Sequence, residues 1–166
     1  MTGRSWGYSQ GMTSTRPLRS APPTWLQTAA MVVGAAFLLV GVLGFIPGIT
    51  TNYDDLSFAG RDSDAKLFGV FEVSVLHNIV HLAFGVAGIA AARSTATAAG
   101  LYLLVGGIVY AALWLYGLVI DKGSSANFVP LNTADDWLHF VLAAVMVVLG
   151  VAGLRNVRGA GATTGL

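Results

Sequence analysis

The chain has 166 residues, 55% of them hydrophobic and only 10% charged, and its mean hydropathy is +0.70. A soluble domain carries about 25% charged residues, so the surplus apolar surface belongs against lipid. Cysteine is absent, which excludes disulfides, iron–sulfur clusters, thiolate zinc sites and cysteine nucleophiles.

Residues 1–24 are rich in Ser, Thr, Gly and Pro, and Pro17, Pro22 and Pro23 oppose helix. A stretch of this composition buries no core, so a disordered tail is expected there. Crossing the hydrocarbon core takes about 20 apolar residues in a helix. Four segments meet that length: about 26–46, closed by Pro47-Gly48; about 75–92, stopped at Arg93; about 96–120, stopped at Asp121-Lys122; and about 137–154, stopped at Arg155. The first is longer than the roughly 7–15 apolar residues of a signal peptide, and no A-x-A site follows it, so it reads as a retained helix. Between the first two spans, the apolar stretch Leu67–Val73 around Glu72 reads as a short interfacial helix or an extension of the second span. A Gly- and Ala-rich tail is expected over 156–166. The predicted fold is therefore all-α: a four-transmembrane-helix bundle over 25–155, between two tails. Trp25, Trp137, Tyr102 and Tyr116 fall near span ends, where an amphipathic ring suits the interface.

The charges predict the orientation. Arg4, Arg16, Arg19, Arg93, Arg155 and Arg158 share one side, with no acid among them. The other side holds Arg61, Lys66 and Lys122 together with all eight acids. Cytoplasmic loops are enriched in Lys and Arg, so the chain is expected to be a multi-pass protein of the plasma membrane with both termini cytoplasmic. Loops 47–74 and 121–136 then face outward.

The same helical hairpin recurs. Leu38-Leu39-Val40-Gly41 in the first span is matched by Leu103-Leu104-Val105-Gly106 in the third. Asn78-Ile79-Val80-His81 in the second is matched by Asp136-Trp137-Leu138-His139 in the fourth. Two hairpins of one orientation imply a pseudo-two-fold axis along the membrane normal. Small residues let helices approach closely in lipid, and the expected packing stripes are Gly34, Gly41 and Gly44; Ala83, Ala87 and Ala91; and Gly150 and Gly153.

Ionisable groups at membrane depth are costly and invite a functional reading. Here they are His77, His81 and His139, with Asn78 beside them and Glu72, Asp135 and Asp136 at the outer rim. His77 and His81 are i, i+4 and share a helix face; Asp136 and His139 are i, i+3. One reading is a metal site of His77, His81, His139 and Asp136, or a haem held between two imidazoles. The other is structural: Asn78 and Asp136 start their helices, and the histidines hydrogen-bond between helices. Proton relay or pH sensing is a third use of the same rings. No phosphate loop, G-x-S-x-G or nucleic-acid-binding basic patch occurs, and no charge lies at the bilayer centre. No enzyme, channel or pump is therefore expected.

Gly69-Val70-Phe71-Glu72-Val73, then Leu76-His77-Asn78-Ile79-Val80-His81-Leu82, and Pro130-Leu131-Asn132-Thr133-Ala134-Asp135-Asp136-Trp137-Leu138-His139 resemble the motifs of a small actinobacterial membrane-protein family. That family is known only as a domain of unknown function. The resemblance runs from about 28 to 155. It implies four membrane helices and a polar cluster that includes Glu72, His77, Asn78, His81, Asn132, Asp135 and His139, and it implies no activity. Members often carry Asn-Pro at Ser74-Val75 and Asn at Asp136, so a carboxylate ligand there is not a family requirement. Three functions are expected from these observations. The first is a non-enzymatic accessory or scaffold subunit of a larger envelope or respiratory complex, needing no cofactor and partnered by lipid, other membrane proteins or a second copy. The second is a protein that binds metal, haem or a quinone. The third is a sensor of external pH or stress.

Overall fold

A computed structural model describes residues 24–163 of the chain; the N-terminal tail expected over 1–24 lies almost wholly outside them. Four helices dominate: α1 (Trp25–Leu43), α2 (Val75–Arg93), α3 (Ala96–Val119) and α4 (Thr133–Thr163). Each is long and apolar enough to cross a membrane. The expected spans match α1, α2 and α3 to within three residues. α4 differs at both ends. It starts four residues early, because the Asn132 side chain accepts from the backbone N–H groups of Ala134 and Asp135 and so opens the helix there. It also continues through Arg155 to Thr163, where a tail from 156 was expected. A lone arginine is a good helix former, and no residue before Thr163 interrupts the backbone ladder.

α1 packs chiefly on α2, and α3 on α4, as two hairpins. Between them lies a core of Leu26, Ala30, Phe37, Leu103, Tyr110 and Met146. The close approaches fall on the expected glycines Gly34, Gly41, Gly44, Gly150 and Gly153, and differ from expectation on α2. On α2, Ala83 and Ala87 are exposed, whereas Gly85 and Gly88 are buried against Gly34 of α1. The inward face is set by burial of Asn78 and His81, and Gly85, Gly88 and Ala92 continue that face at helical spacing.

Between α1 and α2 the chain forms a small antiparallel sheet, β1 (Thr50–Thr51), β2 (Lys66–Leu67) and β3 (Phe71–Glu72), in that order. A helix was expected over Leu67–Val73. Instead Phe68 and Gly69 turn the chain with φ of 55° and 71°, a conformation that suits glycine and is uncommon for Phe. Leu67 and Val73 point inward while Phe68 and Val70 point out. Phe68 and Val70 belong to the turn between β2 and β3, and strands of two residues are too short for their alternation to be read in the sequence. Ser74 then caps α2, accepting from His77 N–H.

Candidate functional site

The loops meet at one end of the bundle and lock together. Asp135 Oδ2 accepts from the backbone N–H of Glu72 (3.1 Å) and of Asn132 (3.0 Å). Asn132 Nδ2 donates to Val70 O at 2.8 Å. Gly60 N–H donates to Phe128 O at 2.8 Å, and Arg61 bonds Gly123 O. Val75 and Leu76, whose N–H groups have no partner within α2, donate to the carbonyls of Ser57 and Phe58. Buried Asn127 pins the second loop from inside, bonding Lys122 O and both polar backbone atoms of Leu131. Asp135 and Asn132 are thus fasteners between β3 and the start of α4. Glu72 is half-buried in this cap, and burial is the first cause that pushes its carboxyl above the ordinary value; Lys66 opposes this, Asp64 adds to it and Lys122 opposes it.

Beneath the cap the three histidines converge. The rings of His77 and His81 stack at 4.4 Å with 8° between planes. His81 Nδ1 lies 3.0 Å from His77 O. A carbonyl only accepts, so the proton of His81 sits on Nδ1 and Nε2 is bare. Tyr110 Oη is 3.5 Å from that Nε2 and is placed to donate to it. Tyr110 in turn meets the edge of His139, ring centroids 5.2 Å apart.

These rings expose the true register of the repeat. Phe37 and Tyr110 stack on each other at 5.3 Å, nearly parallel. Phe37 meets His81 edge-on (5.6 Å, 74°), as Tyr110 meets His139 (5.2 Å, 63°). Gly34 abuts the backbone of Gly88 and Ile89, as Gly107 abuts Met146 and Val147. Gly44 lies against the Asn78 side chain, as Gly117 lies against that of Asp136. The match is therefore Gly34-Phe37-Gly44 with Gly107-Tyr110-Gly117. The Leu-Leu-Val-Gly alignment is eight residues out of this register. The even helices align as expected, His81 with His139.

The two expected helix starters have other places. Ser74 and Asn132 cap α2 and α4, while Asn78 and Asp136 point into the bundle. Asn78 is fully buried and neither side-chain atom has a partner. Asp136 Oδ2 pairs with Lys122 Nζ at 2.7 Å, and that ammonium also reaches Gly117 O at 2.8 Å.

A cavity of about 240 Å³ opens beside the rings, between α2 and α3. His77, His81, Tyr110 and His139 form its inner wall. Val80, Val109 and Leu113 form apolar sides, and Phe128 and Val129 of the second loop close the top. The Nδ1 atoms of His77 and His139 are buried without partners. Among the described residues no three His, Asp or Glu side chains come together as a metal-holding group. Asp136, the expected fourth ligand, is taken by Lys122. Tyr110, Lys122 and Asn127 were missed in the sequence. Only for Tyr110 was a signal present, three residues after a glycine as Phe37 is.

Four apolar spans in two like-oriented hairpins, with polar groups gathered under a loop cap, define a multi-pass integral membrane protein. Residues 27–152 match the family described as Domain of unknown function (DUF4383), and the chain belongs to that family. No curated protein and no solved structure matches the chain.

Proposed function

We propose that the protein is a non-enzymatic membrane protein that holds a small, neutral, lipid-soluble molecule in the cleft between its two hairpins. One observation supports this above the others: three histidines from two helices line a single apolar-walled cavity. Ligand pockets combine apolar walls with a few convergent polar groups. Among the described residues no Lys or Arg lines the cavity, so a charged head group finds no counter-ion there. Val80 and Val109 are 43% and 38% exposed on the flank of the bundle, where lipid gives a membrane-dissolved ligand direct entry. The cation bias of the sequence supports a cleft in the outer leaflet of the plasma membrane, with both termini cytoplasmic.

The test is to purify the chain in a mild detergent, extract it with organic solvent and identify the bound molecule by mass spectrometry. One species in stoichiometric amount is expected. It should be lost from Leu113→Trp, whose ring fills the cleft. If wild type and Leu113→Trp carry the same mixture of lipids, the cleft holds nothing specific.

A further inference from the structure

The hydrogen-bonding pattern of the cleft narrows the class of ligand, on the reading just given. His81 and Tyr110 satisfy each other, so neither nitrogen of His81 has a donor left for a guest. His77 and His139 differ: both have Nδ1 buried and unpartnered. A buried N–H without an acceptor is rarer than a bare lone pair, which places the ring proton of each on Nε2. Both residues line the cavity, and Nε2–H is the donor each ring has left for a guest. The guest has to accept, and it has to be neutral: the nearest ammonium, Lys122, is committed to Asp136 and Gly117 O. Carboxylate and phosphate head groups are thereby disfavoured, and a lone alcohol offers a single oxygen to two donors.

Shape adds a second constraint. About 240 Å³ falls below the roughly 300–1,000 Å³ of pockets that enclose a whole drug-sized ligand, so a head group enters and the rest stays in lipid. The walls are flat: the parallel His77–His81 stack on one side and the Phe128 ring above. Flat rings gain from stacking or edge contact with such walls. The exit between Val80 and Val109 is apolar and lipid-facing.

We infer that the cleft binds a lipoquinone: a flat ring whose carbonyl oxygens accept from His77 and His139, with its isoprenoid tail leaving between α2 and α3. Binding is the whole of the claim, and no electron transfer is implied.

The experiment uses the full chain in lipid nanodiscs. Three probes are compared by equilibrium binding: a naphthoquinone with a short isoprenoid tail, the matching prenyl alcohol and oleate. Saturable binding of the quinone at one per chain is expected, with the alcohol and oleate about tenfold or more weaker. His139→Phe keeps a ring against Tyr110 but has no N–H, and it should weaken the quinone about tenfold while leaving the thermal midpoint near wild type. Equal binding of quinone and prenyl alcohol overturns this inference, since the cleft would then recognise tails. Unchanged quinone affinity in His139→Phe overturns it as well. Failure of all three probes to saturate, with Leu113→Trp indistinguishable from wild type, overturns the small-molecule reading itself.

Discussion

Asn78 and Asp136 occupy equivalent places in the two hairpins, each three residues before a histidine and each against a glycine of the neighbouring helix. Only Asp136 carries charge, and only it has a cation. Removing one partner of a buried pair leaves the other uncompensated, at a cost of about 1–3 kcal/mol or more. Lys122→Met should therefore lower the thermal midpoint in detergent, and adding Asp136→Asn should restore most of the loss. Strictly additive losses would show that the pair is uncoupled. Glu72 supplies a pH test. Its folded-state pKa is raised, so the cap is favoured below the ordinary carboxyl value of 4.5 and loses that contribution as pH rises through the raised value. Amides of β2 and β3 should exchange faster at pH 7 than at pH 4, once corrected for intrinsic rates, and Glu72→Gln should flatten the difference. Lys66, Asp64, Lys122 and Asp135 surround the site in both proteins, so the comparison isolates Glu72; an identical slope in the variant would show that Glu72 is not its source. Much of the site was legible at this scale because an imidazole in an apolar helix is costly and stands out. Tyr110 did not stand out, since a tyrosine among apolar residues is ordinary, and the partners of Lys122 and Asn127 depend on loop paths that carry no periodicity.

Among the elements, the helices were legible because twenty apolar residues have few alternatives. The sheet was not: its strands are two residues long, too short to set up a visible alternation. Packing was half legible. The glycines of α1 and α4 mark their close approaches in the sequence, but on α2 Ala83 and Ala87 of the i, i+4 alanines are exposed, and the Leu-Leu-Val-Gly tetrapeptides align out of the register that the contacts set. The corrected register makes a paired prediction. A Cβ at Gly34 would meet Ile89 N at 2.9 Å, and one at Gly107 would meet Val147 N at 2.8 Å. Both obstacles are backbone, so the helices themselves must part. Gly34→Ala and Gly107→Ala should each cost about 1–3 kcal/mol and show similar drops in thermal midpoint. At Gly41, which is outside the repeated pair, the obstacle includes the movable Leu82 side chain. A loss at Gly107 alone would break the claimed equivalence.

For the whole molecule, hydropathy made the number of spans legible, and the distribution of nine cations supports an orientation. With no native cysteine to remove, single substitutions report topology directly. Asp62, exposed in the first loop, should react as Asp62→Cys with an impermeant maleimide added to intact cells. Ser94→Cys, between α2 and α3, should react only after the membrane is opened. The reverse pattern would invert the bundle and move the cleft to the inner leaflet. The convergence of three histidines was beyond the sequence, because it depends on how four helices are rotated about their axes. Spacing along one helix says nothing about that.

The stack of Phe37 on Tyr110 also bears on ancestry. A hairpin of two spans leaves the membrane on the side where it entered, so copying it in tandem requires no inversion of the second copy. A half-length ancestor pairing with itself would have placed two identical rings face to face on the dyad, with two equivalent clefts. In the present chain one ring carries a hydroxyl and the other does not, and that oxygen joins His77 and the Lys122–Asp136 pair in distinguishing the two sides of the repeated scaffold. Fusion of the halves is what allows such a difference to be inherited, because only a continuous chain can alter one copy and leave the other as it was.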